Sequence, residues 1–198
     1  MKIFPLNIIL NEIFLWLEFI FKYIPGRLGI FLRIIFYSIV KGKFLSISIG
    51  NGTVIKNIKS IDFEKGIGIG PNCFIDSTDG YISIGESSAF NESCHINASI
   101  GGKILIGKKV IFGPKVIMRT TNHKYDIKDK YIQDSGHNIK DIKIEDNCWI
   151  AGNVTILGGV AIGSGSVIGA GAVVTKDIPP KSIALGVPAK VIKEINYK

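Results

Sequence analysis

The sequence predicts a mainly β chain wound as a parallel β-helix, and three observations carry that expectation. Ile144, Ile150, Ile156, Ile162, Ile168 and Val174 recur every six residues without a slip. Four places after each stands a second small or apolar residue: Cys148, Val154, Val160, Ser166, Ala172 and Ile178. The same step appears earlier through Ile49, Ile55 and Ile61, then Ile84, Phe90 and Ile96, then Ile106, Phe112 and Met118. Packing explains the double register. A short strand and a turn fill one hexad, so one apolar side chain points into the prism and a smaller one fills the corner. Successive coils pair their backbones at about 4.8 Å. A helix would scatter positions six apart over different faces.

Residues 1–43 precede the repeat. Residues 3–24 are rich in Ile, Leu and Phe, with Trp16 and Tyr23. On a helix Asn7, Asn11, Glu18 and Lys22 fall in one narrow sector, and Glu12 falls outside it. Pro25-Gly26 breaks the run. A second apolar segment, Leu28 to Val40, carries Arg27, Arg33 and Lys41 on its polar side. Neither run reaches the ~20 uncharged apolar residues that span a bilayer. No small-residue cleavage site follows, so no signal peptide is expected. The expectation is a helical pair, residues 1–41, lying in the membrane interface with basic residues at anionic head groups. The competing expectation is that these helices pack on the β-helix or on a neighbouring subunit.

The β-helix is assigned to residues 44–180, roughly six three-sided coils with irregular early ones. Asp79-Gly80 and Gly101-Gly102 mark corner insertions, which a solenoid tolerates. The beat stops after Met118 and resumes at Ile142. Residues 119–141, RTTNHKYDIKDKYIQDSGHNIKD, form a polar excursion, of a length that is functional or disordered. Residues 181–198 are expected to hold a short C-terminal helix that caps the chain.

Placement of charge narrows the partners. The net charge is +8, and the middle of the chain is nearly balanced. The basic residues concentrate in 1–43 and 176–198, which suggests one anionic partner per end and no nucleic-acid stripe. Cys73, Cys94 and Cys148 occupy second-register positions and read as small inward side chains. No CxxC or paired spacing supports a zinc site or a disulfide framework, and free thiols fit a reducing compartment.

His123 sits where the excursion leaves the coil. A rigid scaffold can hold an imidazole there, and its pKa near 6.5 suits a general base at neutral pH. His137 and His95 read as surface residues. Asp126 or Asp134 could orient the imidazole by accepting its second N–H. Three histidines also raise a zinc site, although their spacing within one chain is poor.

The excursion after MRTTNHKYD, followed by IEDNCWIAGNVTILGGVAIGSGSVIGAGAVVTKDIPPKSIALGVPAKVIKEI, resembles the hexapeptide-repeat acetyltransferases of the galactoside and maltose type. The likeness covers about residues 45–195, and the VTKDIPP…GVPAKVIK tail is its most specific part. PGRLGIFLR is similar to relatives that acetylate bacterial surface polysaccharides. The resemblance implies a left-handed β-helix, a homotrimer, and acetyl-CoA in the groove between neighbouring protomers. It makes His123 the catalytic base and gives Asn91 a place in the acceptor site. Trp149 would line the cofactor groove, with Gly152 and Ala170 meeting the pantetheine arm through their backbones. Thr175 and Lys176 would lie where the cofactor's far end passes. Lys190 and Lys193 would face its phosphates, where relatives often carry arginine and its bidentate fork. The acceptor would be a sugar or lipid-linked saccharide, and the protein cytoplasmic, peripheral on the inner face of the cell membrane, with no metal. No serine or cysteine has a nucleophile's surroundings, so direct transfer is favoured. Two other readings compete. One is a trimeric β-helix zinc carbonic anhydrase, which needs a histidine where Met118 stands. The other is a membrane-docked scaffold without catalysis.

Overall fold

The computed structural model describes residues 6–196, with side chains from Glu12 onward. Helices α1, Leu6–Tyr23, and α2, Gly26–Lys41, precede the solenoid. The side chains of Asn7 and Asn11, expected in the polar sector of the first helix, lie outside the described residues.

Three parallel sheets form the faces of a prism. The first stacks Ile47–Ile49, Ile67–Ile69, Ala89–Phe90, Ile111–Phe112, Trp149–Ile150, Val167–Ile168 and Ser182–Leu185. The second stacks Val54–Lys56, Phe74–Asp76, His95–Asn97, Ile117–Arg119, Thr155–Leu157 and Val173–Val174. The third stacks Ile61–Phe63, Tyr81–Ile84, Lys103–Ile106, Ile142–Ile144 and Ala161–Ile162. This is the parallel β-helix the hexads predict, and it is consistent with the left hand of the resembled family. Ile150 pairs with Ile168, three hexads on. Phe112 pairs with Ile150, and that step absorbs the excursion.

The hexad positions point inward. Ile49, Ile69, Phe90, Phe112, Ile150, Ile168 and Ala184 are all buried along the first face. Phe90 and Phe112 stack with centroids 4.5 Å apart and planes 3° from parallel. Each buried side chain of this size contributes about 1.5–3 kcal/mol. The second register fills the corner between the first and second faces with Thr53, Cys73, Cys94, Val116, Val154 and Ala172, all buried. Its polar members bond to the coil above. Thr53 Oγ1 donates to Gly70 O at 2.7 Å, and the Cys73 and Cys94 thiols donate to Asn91 O and Gly113 O at 3.1 and 3.3 Å.

A solenoid's first coil has no neighbour beneath it, so alternate backbone groups point off its end. Helix α2 satisfies one on each face with side chains four residues apart, which share one helix side. On the first face Arg33 Nε donates to Ile49 O at 2.8 Å. On the second, Tyr37 Oη accepts from Ile55 N at 3.3 Å. On the third, Lys41 Nζ donates to Ile61 O at 2.6 Å. Arg33 also binds the open C-terminal carbonyls of α1, reaching Phe21 O at 2.9 Å and Ile24 O at 2.8 Å. Gly29 makes this possible, because a Cβ there would collide with the Ile24 carbonyl. Burial lowers the Arg33 pKa.

These contacts correct the sequence reading of α2. Arg33, assigned with Arg27 and Lys41 to a polar side at the head groups, is instead 2% exposed. Glu18 of α1 also turns inward, and Tyr37 Oη donates to its Oε1 at 3.0 Å. The apolar residues Leu28, Phe31, Ile35 and Ile39 occupy the opposite side of α2 and are exposed. The inner side of the pair therefore packs on the β-helix, and its outer side is left uncovered by the described residues.

The other end brings a second correction. The short helix expected in 181–198 is an antiparallel hairpin, Ser182–Leu185 with Lys190–Glu194. The last coil presents an open strand edge, and the tail turns at Gly186 to pair with it. Val191 and Ile192 suit that strand better than a helix.

Candidate active site

The excursion is not a structureless loop. Thr121–His123 pairs antiparallel with His137–Ile139, and a short 3-10 turn at Ile132–Asp134 lies between them. The hairpin leaves the corner between the second and third faces. A polar chain fastens its root. Asn97 Nδ2 donates to Asp76 Oδ2 at 3.4 Å, Ser99 Oγ donates to Asn97 Oδ1 at 2.9 Å, and the Ser99 and Thr121 hydroxyls lie 3.2 Å apart. Asn97 and Thr121 are buried, so these bonds fix the strand that carries His123.

His123 stands opposite His137 in the hairpin. The neighbouring backbone bonds are Lys124 N to Gly136 O at 3.0 Å and Lys140 N to Thr120 O at 2.9 Å. The two histidines thus form a non-hydrogen-bonded pair, the kind whose side chains come closest. Their ring centroids are 4.4 Å apart. His137, read from sequence as a surface residue, is a direct neighbour of the candidate base. The mirrored Asn122-His123 and His137-Asn138 were the available signal. Among the described hydrogen bonds none joins His123 to Asp126 or Asp134. His95, also read as surface, is half-buried and stacks on Phe74 at 4.8 Å. Burial first, and Arg119 second, lower its pKa. Among the described residues no three His, Cys, Asp or Glu groups converge as a metal site would require.

The other candidates fall into two groups. Thr175 and Lys176 follow Val173–Val174, on the corner from which the His123 hairpin leaves. Asn91, Gly152 and Ala170 lie on a different corner, between the first and second faces. Gly152 and Ala170 hold equivalent places in successive coils, and Gly171 N donates to Gly152 O at 2.9 Å. Asn91 Oδ1 accepts from Glu92 N at 2.7 Å. Trp149 borders that corner and is half exposed, its neighbours on the face being Ile111 and Val167. Lys190 and Lys193 are exposed on the terminal strand that extends the same face. A three-residue strand, about 10 Å long, separates the two corners.

Known proteins share this fold. The family model for bacterial transferase hexapeptide (six repeats) matches residues 141–176. A curated relative from Staphylococcus haemolyticus, named as an acetyltransferase, is 67% identical over 55 residues. That match spans 28% of this chain and 29% of the relative's length. A maltose O-acetyltransferase structure from Clostridium difficile 630 superposes with a TM-score of 0.67 at 30% identity, covering 94% of this chain and 86% of that one. A hexapeptide-repeat acetyltransferase from Vibrio cholerae, solved with acetyl coenzyme A, gives 0.54 at 25% identity over 93% and 86% of the two chains. A galactoside acetyltransferase solved with coenzyme A gives 0.58 at 27% identity over 92% and 79%. On the length and level of the Clostridium difficile match, with the six-residue repeat behind it, the chain belongs to the hexapeptide-repeat acetyltransferases.

Proposed function

We propose that this protein is an acetyl-CoA-dependent O-acetyltransferase that modifies a sugar hydroxyl in bacterial surface polysaccharide synthesis. The observation that carries the proposal is the placement of His123, two residues beyond the buried Thr121 that fastens the hairpin at the corner between the second and third faces. The maltose, galactoside and acetyl coenzyme A relatives support the acceptor class and the donor.

The division of the candidates between two corners favours a site shared by neighbouring protomers of a homotrimer. One protomer would supply His123, and its neighbour's corner would supply Asn91, Trp149, Gly152 and Ala170. Thr175, Lys176, Lys190 and Lys193 would meet the anionic cofactor along the groove. A thioester is already activated, so the protein needs a base and an oxyanion donor. Neutral His123 takes the proton of the acceptor hydroxyl as that oxygen attacks the acetyl carbonyl. The backbone N–H of Gly152 is the candidate donor to the oxyanion, an effect worth roughly 3 kcal/mol. When the C–S bond breaks, the imidazolium returns the proton to the departing thiolate, giving an acetyl ester and free coenzyme A. The exposed apolar side of the helical pair, with its basic residues, supports a peripheral position on the inner face of the cell membrane. No helix among the described residues is long and apolar enough to cross one.

Mass spectrometry of surface glycans from cells with and without the protein tests the reading. One acetyl substituent disappearing with the protein is expected, and so is its loss in His123→Ala. An unchanged glycan in both would contradict the assignment.

A further inference from the structure

We infer that the protein stands upright on an anionic bilayer, with α1 and α2 as its foot. Its acceptor is then a distal sugar of a lipid-linked oligosaccharide, not the sugar next to the lipid. This rests on the acetyltransferase reading above and adds an orientation and a reach to it.

The orientation follows from α2. Its Arg33, Tyr37 and Lys41 side bonds to all three edges of the first coil, so the helix lies across the end of the prism. Leu28, Phe31, Ile35 and Ile39 lie on the opposite side and must face away along the prism axis. Helix α1 adds exposed Leu17, Phe19, Ile20 and Trp16, the last 64% exposed. Charge complements this apolar sole. Helix α2 contains no Asp or Glu. Its Arg27 and, just beyond its end, Lys43 are exposed, and Lys22 is half-buried with its ammonium over the Tyr23 ring. Glu12 is the exposed acid of α1, since Glu18 is bonded to Tyr37. Amphipathic aromatics and cations around an apolar surface suit an interface with anionic lipid.

The reach follows from the coil count. Asn91 lies on the third coil and the strand leading to His123 on the fourth. At about 4.8 Å per coil they stand roughly 10–15 Å above the first coil. One layer of helix adds about 10 Å. The site therefore lies some 20–25 Å above the apolar sole, too far for a sugar held at the head groups.

Single-cysteine dyes on the full chain test this, because Cys73, Cys94 and Cys148 are buried and leave labelling to introduced positions. Ser48→Cys marks the first coil, Lys115→Cys the fourth and Val187→Cys the far end. Energy transfer to rhodamine-lipid in phosphatidylglycerol vesicles should fall in that order, with the first two about 15 Å apart in height. Bound protein with equal transfer from all three would overturn the upright stance while leaving membrane binding in place. Failure to bind these vesicles, with acetyl transfer intact, would remove the membrane and this inference with it, but not the acetyltransferase. Dimerisation in ultracentrifugation that Trp16→Lys with Phe31→Lys abolishes, without vesicle binding, would give the surface to a second copy and overturn the proposal. In extracts of cells making the protein, the acetyl group should appear only on lipid-linked saccharides of several sugars. Acetyl on a lipid-linked monosaccharide would refute the reach.

Discussion

The two ends of the prism solve one problem in opposite ways. At the base, Arg33, Tyr37 and Lys41 of a helix take up backbone groups of the first coil, and the helix turns greasy residues outward. At the far end a hairpin pairs with the last strand edge and leaves Lys190 and Lys193 exposed. The base thus buries its polar groups and shows its apolar ones, whereas the tip covers an edge with backbone and keeps its charge in water. Substitutions at the base should register as stability, and substitutions at the tip as ligand binding.

Arg33→Met should have the largest effect. It strands several buried carbonyls and should cost about 3–5 kcal/mol in denaturant unfolding. Wild-type stability for that variant would break the contrast between the ends. Tyr37→Phe removes one hydroxyl that bonds both Ile55 N and Glu18. It should cost about 2 kcal/mol, read in the same titration. Between the ends, His95 tests by pH the stack it makes with Phe74 on the second face. Its pKa is lowered in the fold, so its neutral form is the one the fold favours. The stability it contributes is full above the ordinary value of 6.5 and declines as pH falls below it. His95→Phe should flatten the decline in Tm between about pH 7 and 5. The smallest stability effect should come from Lys190→Ala with Lys193→Ala, within about 0.5 kcal/mol. The same pair should weaken acetyl-CoA binding in calorimetry. Unaltered affinity would take the tip out of the cofactor groove.

What the sequence disclosed follows from periodicity. Inward residues repeat at fixed intervals, so the Ile ladders and the small cysteine column were legible. The position of His123 at the root of the hairpin was legible because the repeat stops beside it. Arg33 was not, because amphipathicity sorts residues by polarity, whereas Arg33 is buried through bonds to carbonyls that only the folded coil brings near. The C-terminal hairpin was missed for a related reason, since what pairs with Lys190–Glu194 is an edge made by the last coil. The contact of His137 with His123 was not legible, because it depends on hairpin register, which isolated histidines do not reveal. The partition of Asn91 and His123 between corners likewise appears only once strands are assigned to faces.

We propose that His123 acts as the base for acetyl transfer. The most direct test is the rate of coenzyme A thiol release from saturating acetyl-CoA with membrane-extracted saccharide, compared between the intact protein and His123→Ala. His123→Ala should lower kcat by about 100-fold or more, with the KM for acetyl-CoA nearly unchanged. Equal rates from the two proteins would contradict it.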